Sequence, residues 1–186
     1  MYPEMGRTCG YAVTCTYGIP DPNFKGGPGI GDVLDAIDAS PKPVILLIKQ
    51  DYPEHLKRKN GLCGGNMATA FKSAGCVGII SDGPSRDLDE VRNIGIQYML
   101  TGASAGHGPM AVKAVNTPVD ICSMRVAPGE IIHMDENGAV KFPRMYLSQV
   151  LENCKQLSVA EEKKMKMLAS TSDVQLLKKY MQGVYD

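Results

Sequence analysis

The chain alternates between short apolar runs and stretches whose apolar residues fall at helical spacing. Residues 10–18, GYAVTCTYG, alternate in polarity and are rich in β-branched and aromatic side chains, which predicts a strand. Residues 18–31, GIPDPNFKGGPGIG, have no periodicity and read as a Gly/Pro loop. GDVLDAIDAS (31–40) predicts a short helix, and KPVILLI (42–48) is a continuous apolar run suited to a buried strand. NMATAFKSAG (66–75) is helical in composition and stops at Gly75, and CVGIIS (76–81) is the next strand. DLDEVRNIG (87–95) predicts a helix with acids in its first turn and Gly95 at its end; IQYMLTG (96–102) is a strand, followed by the loop ASAGHGP.

Beyond residue 117 the pattern changes twice. Residues 117–143, TPVDICSMRVAPGEIIHMDENGAVKFP, predict a β-meander with turns at Pro128-Gly129 and Asn137-Gly138. From Met145 onward, Met145, Leu147, Val150, Leu151 and Cys154 share helical spacing, and SVAE (158–161) has the form of a capping box opening another helix. A third helix is expected from about Asp173 to Met181, ending at Gly183. The expected organisation is a core over 1–144 and a helical appendage over 145–186, packed on the core or on a neighbour.

Composition narrows the function classes. With 186 residues the chain suits one ordinary domain plus an appendage. Basic and acidic residues balance at 20 each, Trp is absent, and no Lys/Arg run is interleaved with aromatics, which argues against a nucleic-acid or membrane-surface partner. The six cysteines, Cys9, Cys15, Cys63, Cys76, Cys122 and Cys154, lack C-x-x-C spacing, so neither structural zinc nor a disulfide framework is expected. No signal-peptide core or membrane-spanning run occurs, and the expected compartment is the cytoplasm.

The middle of the chain reads strand, helix, strand, helix, strand, which implies parallel strands joined by right-handed crossovers. Ligands of such sheets collect beyond the carboxyl ends of the strands. Two features reach that edge: the helix start preceded by GLCGG (61–65), and Ser85-Arg86-Asp87 after the 76–81 strand. Gly64 and Gly65 let a ligand approach the backbone, and free amides of Asn66, Met67 and Ala68 would favour an anion. Arg86 supplies a fork of donors for a carboxylate or enolate. Asp87 admits two readings, an N-cap for the following helix or a ligand for Mg²⁺ or Mn²⁺, which keep waters and need few protein oxygens. An α-keto acid would complete such a metal's shell, and no Walker-type loop argues for a nucleotide. His107 is a weaker candidate: it can face the site from the next strand end, but loop histidines are more often solvated than catalytic. His55 and His133 have no evident partner, Lys72 reads as solvent-facing, and Cys63 and Cys76 read as core.

The stretch GGNMATAFKSAGCVGIISDGPSRDLDEVRNIGIQY resembles the family that joins RraA-like regulators of ribonuclease activity with divalent-metal 4-hydroxy-4-methyl-2-oxoglutarate aldolases. The likeness runs from about Gly10 to Pro143, and its specific part is Gly75, Gly78, Asp82, Gly83, Arg86 and Asp87. The resemblance implies an α/β fold of the β/β/α swivelling-domain type, as a layered sandwich, in homotrimers or hexamers with a site near the subunit boundary. It implies that amides around Gly64 to Ala68 bind a pyruvyl carboxylate, Arg86 stabilises an enolate and Asp87 anchors Mg²⁺ or Mn²⁺. The activity implied is retro-aldol cleavage of a small 2-oxo acid, with oxaloacetate decarboxylation through the same pyruvate enolate. The chain departs from the family in having Gly65 where many aldolases are acidic, and in beginning close to its first strand, without the usual N-terminal helical segment. The competing expectation is a non-catalytic regulator that binds an RNA-degrading enzyme.

Overall fold

The computed structural model describes residues 2–24 and 26–185 and divides them into two compact units, Met1–Arg144 and Met145–Asp186. The first unit contains β1 (Thr8–Gly18), α1 (Ile30–Ala39), β2 (Val44–Asp51), the single turn α2 (Glu54–Lys57), α3 (Gly65–Ser73), β3 (Cys76–Ser81), α4 (Leu88–Ile94) and β4 (Gln97–Met99). It continues with β5 (Ala111–Val115), β6 (Val119–Ile121), β7 (Met124–Val126), β8 (Ile131–Asp135) and β9 (Gly138–Phe142).

The main sheet runs β4-β3-β2-β1-β8-β9, and β5 also pairs with β1. β1 to β4 are parallel, as the alternation of strands and helices predicts. The far edge of β1 is shared: Thr8 to Tyr11 pair antiparallel with β8, and Cys15 to Gly18 with β5. β5 has no counterpart in the sequence pattern, because AVKAV is short and only half-buried along its length. The second predicted hairpin turn is displaced by one residue: Asp135 pairs with Gly138, so the two loop residues are Glu136 and Asn137.

β2 shows how the layers are built. Val44, Leu46 and Ile48 enter one core with Phe71 and Ala68 of α3, Val33 and Ile37 of α1 and Val91 of α4. Ile45 and Leu47 point the other way, against Val119, Ile121 and Val126 of the separate β6–β7 ribbon and Ile132 and Met134 of β8. A strand with both faces covered must be apolar throughout, which is why this segment shows no polar alternation. Helices on one face of the sheet and a ribbon on the other make the β/β/α layering. Removing a full side chain such as Leu46 or Leu47 from either core costs about 2–5 kcal/mol.

The second unit consists of α5 (Leu147–Ala169) and α6 (Val174–Met181). The expected break at 158–161 does not occur, and α5 runs through it as one helix of 23 residues. With good helix formers on both sides, Ser158 lies mid-helix and has no chain end to cap. α6 starts where Asp173 Oδ1 accepts the Gln175 N–H at 2.8 Å. No helix among the described residues is long and apolar enough to cross a membrane.

Candidate active site

β3 ends at Ser81, and its continuation is pinned residue by residue before Arg86 is reached. Asp82 accepts the Gln50 backbone N–H at 2.7 Å and lies 2.6 Å from Lys49 Nζ and 2.7 Å from Lys57 Nζ. Its side chain is only 6% exposed, so these partners decide whether its charge is tolerated. Burial pushes the Asp82 carboxyl up, but the two lysines and the Gln50 amide outweigh it and hold the pKa below the ordinary aspartate value. Gln50 Nε2 donates to Ser81 Oγ at 3.1 Å and to the Pro84 carbonyl at 3.0 Å, tying β2 to the turn.

Ser85 fixes the next step. It forms a parallel bridge with Ala103: its N–H donates to the Gly102 carbonyl at 3.1 Å, and its own carbonyl accepts the Ser104 N–H at 2.8 Å. Its hydroxyl donates to the Cys63 carbonyl, which also accepts from the Tyr98 hydroxyl at 3.0 Å. The loop before α3, the turn after β3 and the loop after β4 are thereby locked together. All three lie beyond the carboxyl ends of parallel strands, where the topology places a ligand site.

Arg86 and Asp87 stand on this frame. Arg86 Nη1 donates to the Gly61 carbonyl at 2.6 Å, which leaves most of its five N–H donors uncommitted. Its Nε lies 3.5 Å from Asp87 Oδ2. Asp87 occupies the N-cap position of α4 in the left-handed region, at φ 57° and ψ 38°. Its side chain makes no cap bond there; Oδ2 instead accepts the Gly65 N–H at 2.9 Å, across the gap to α3. The N-cap reading is therefore right for the backbone and wrong for the carboxylate. Left-handed geometry at a non-glycine residue has a cost of about 1–3 kcal/mol and is found where the surroundings over-determine it.

The glycines before Asn66 leave room for side chains of the next loop and helix. A Cβ on Gly64 would stand 2.8 Å from Arg86 Nε and well inside contact of Asp87 Oδ2; one on Gly65 would overlap Glu90 Oε2. Of the three amides expected to be free, the Ala68 N–H is committed to the Gly64 carbonyl at 3.0 Å, because Ala68 already lies one helical turn in. Asn66 and Met67 N–H carry no such bond, so the donors left at the α3 start are these two. Arg86, Asp87, Leu88, Ala103, Ser104 and Ala105 line an adjacent open cleft of about 410 Å³.

The remaining expectations divide. His107 is exposed and does not line the cleft; His55 is exposed on α2 and His133 half-buried on β8. Lys72 Nζ donates to the Gly95 carbonyl at 2.7 Å, helping to end α4. Cys63 and Cys76 are buried free thiols whose pKa values burial pushes up to about 12 and about 11, so neither is a thiolate nucleophile. The residues that sequence reasoning missed are Ser104, whose place at the next parallel strand end was a usable signal, and Glu90, three residues beyond Asp87 on the same helix face. The Lys49 and Lys57 pairing with Asp82 had no sequence signal, since it joins three separate elements.

Among the described residues no group of three or more His, Cys, Asp or Glu side chains is placed to hold a metal. The donor set at Asp87 nonetheless fits a cation that takes few protein oxygens: Oδ1 accepts no hydrogen bond, and the side chain is about one-third exposed.

Comparison with known proteins bears on this geometry. A model of the RraA-like family, described as Aldolase/RraA, matches residues 1–141. An uncharacterized protein of Methanocaldococcus jannaschii is 28% identical over 108 residues, which is 58% of this chain and 52% of the relative. A 4-hydroxy-4-methyl-2-oxoglutarate aldolase of Thermus thermophilus is 28% identical over 86 residues, 46% of this chain and 52% of the enzyme. The chain thus spans about half the length of these curated relatives. Among solved structures, Streptomyces coelicolor RraAS2, described as an unusual member of the RNase ES inhibitor RraA protein family, superposes with a TM-score of 0.71 at 22% identity, covering 86% of this chain and 77% of that one. At that identity the likeness speaks for the fold alone.

Proposed function

Since the chain belongs to the RraA-like family, which includes both aldolases and RraA regulators, we propose that it is a divalent-metal-dependent lyase acting on a 4-hydroxy- or 4-carboxy-2-oxo acid through a pyruvate enolate. One observation carries this reading: the Asp87 carboxylate, the Arg86 guanidinium and the bare start of α3 adjoin one another, with Gly65 N–H on Asp87 at 2.9 Å. The aldolase relative supports the reaction class.

Each residue has a task in this chemistry. Asn66 and Met67 N–H, at the positive end of α3, bind the substrate carboxylate. Arg86, held by Gly61, turns its uncommitted donors to the 2-oxo oxygen, where negative charge develops as the bond between C3 and C4 breaks. Asp87, oriented by Gly65, would hold Mg²⁺ or Mn²⁺. When bound, such an ion would supply Lewis-acid polarisation of the substrate. Aldol cleavage and decarboxylation share the enolate, so one constellation serves both. Homotrimers or hexamers and a cytoplasmic setting accompany the proposal.

The test is a coupled pyruvate assay on oxaloacetate and 4-hydroxy-4-methyl-2-oxoglutarate, with and without EDTA. Pyruvate release that depends on Mg²⁺ or Mn²⁺ is expected. The competing reading is a non-catalytic regulator of an RNA-degrading enzyme, and the observation on its side is that no cluster of three or more His, Cys, Asp or Glu side chains stands among the described residues. No turnover with either substrate, together with capture of such an enzyme, decides for the regulator.

A further inference from the structure

We infer that Glu90 is the proton acceptor of the aldol cleavage, an inference that rests on the lyase reading above. Retro-aldol cleavage has a requirement that decarboxylation lacks. The proton of the C4 hydroxyl must leave as the C3–C4 bond breaks; the bonding pair becomes the enolate, C4 becomes a carbonyl, and C3 is protonated to finish the pyruvate. Loss of CO2 from oxaloacetate breaks the same bond and forms the same enolate with no hydroxyl proton to remove. The site therefore needs one more group for the first reaction than for the second.

Among the acids around Arg86, Asp87 is engaged by the Gly65 amide and the guanidinium, and Asp89 is paired with Arg92 at 3.1 Å. Glu90 makes no hydrogen bond or ion pair among the described residues, yet its carboxylate is not directed outward. Its Oε2 occupies the space in which a side chain on Gly65 would begin. Gly64 and Gly65 thus each admit one carboxylate from the start of α4, Asp87 over the first and Glu90 over the second. The pair stands at i and i+3 on one helix face, and both approach the positive end of α3, where negative charge is stabilised. A substrate carboxylate on the Asn66 and Met67 amides brings the rest of the molecule to this neighbourhood. Glu90 is exposed and holds no part of the core, so substituting it spares the packing of the fold.

The experiment compares wild type, Glu90→Gln and Glu90→Ala on both substrates, with Mn²⁺ affinity measured by titration calorimetry on each protein. Expected is a loss of about 10²–10⁴-fold in 4-hydroxy-4-methyl-2-oxoglutarate cleavage for both Glu90 variants, the usual worth of general-base catalysis. Oxaloacetate decarboxylation and Mn²⁺ affinity stay at the wild-type level. Equal losses on both substrates, or a fall in Mn²⁺ affinity, overturn the assignment by making Glu90 a positioning residue. Unchanged cleavage in an active enzyme overturns it as a bystander. A wild type inert on both substrates counts instead against the lyase reading, and the inference goes with it.

Discussion

Gly65 donates its backbone N–H to Asp87 Oδ2 at 2.9 Å, so the first amide of α3 orients the carboxylate that stands beside Arg86. The other oxygen of Asp87 is left for a ligand. The Arg86 guanidinium, held by the Gly61 carbonyl, stands against Gly64 beside it, so anion, cation and helix start share one small volume.

Gly64→Ala tests that spacing. The new methyl would stand 2.8 Å from Arg86 Nε and crowd Asp87 Oδ2, so both must shift. A displacement of about 1 Å at reacting groups costs on the order of 10²-fold in rate. Pyruvate release should fall by that order and Mn²⁺ affinity with it, while the thermal midpoint changes little; a fully active Gly64→Ala enzyme would show that the contact does not matter.

Arg86→Ala should lower turnover by roughly 10²–10³-fold, the effect of removing a principal oxyanion donor. Arg86→Lys should not rescue it, because one ammonium cannot hold the Gly61 carbonyl and offer a second, planar donor pair. Asp87→Asn should abolish Mn²⁺ binding by calorimetry and the EDTA-sensitive activity together.

Asp82 makes stability depend on pH. Its folded pKa is depressed, so its contribution is complete above the unfolded value, about 3.9, and is lost as pH falls through the lower folded value. Acid unfolding should therefore be less steep in Asp82→Asn. At neutral pH that variant should lose about 3 kcal/mol in denaturant melts, because Lys49 and Lys57 then face each other with no counter-charge.

The β6–β7 ribbon turns on Cys122 and Ser123, with φ of 49° and 68°. A turn with two left-handed residues favours Asn-Gly, and side chains there carry strain. Ser123→Gly should stabilise the protein by about 0.5–1 kcal/mol, since the strain relieved exceeds the backbone entropy added. An unchanged or lower thermal midpoint would show that this turn is at ease with its serine.

How much was legible follows from the range of each interaction. Buried β2 and β3, and the helices between parallel strands, announce themselves because their signals are local: period, propensity and a stopping glycine. Arg86 and Asp87 were legible as a pair because they directly follow a strand end. The use of each side chain was not. The sequence places Asp87 where a cap belongs, and only the fold brings Gly65 within its reach. Ala68 looked available because its helix begins one residue earlier than NMATAFKSAG suggests. β5 stayed invisible for a similar reason, as its partner is β1, almost a hundred residues away, and little within AVKAV itself marks a strand. The run over 147–169 is continuous because Ser158-Val159-Ala160-Glu161 has the composition of a start without the interruption that a start needs.

The alternation along β2 has a final consequence for what the gene can tolerate. Val44 through Ile48 send neighbouring side chains into opposite layers, so adding or deleting one codon here would transpose helix-facing and ribbon-facing residues at a stroke. Each displaced side chain would meet a cavity shaped for another, in two places at once. Length changes should be survivable at the Glu136-Asn137 loop, whose residues serve no second layer, and lethal to folding within these five positions.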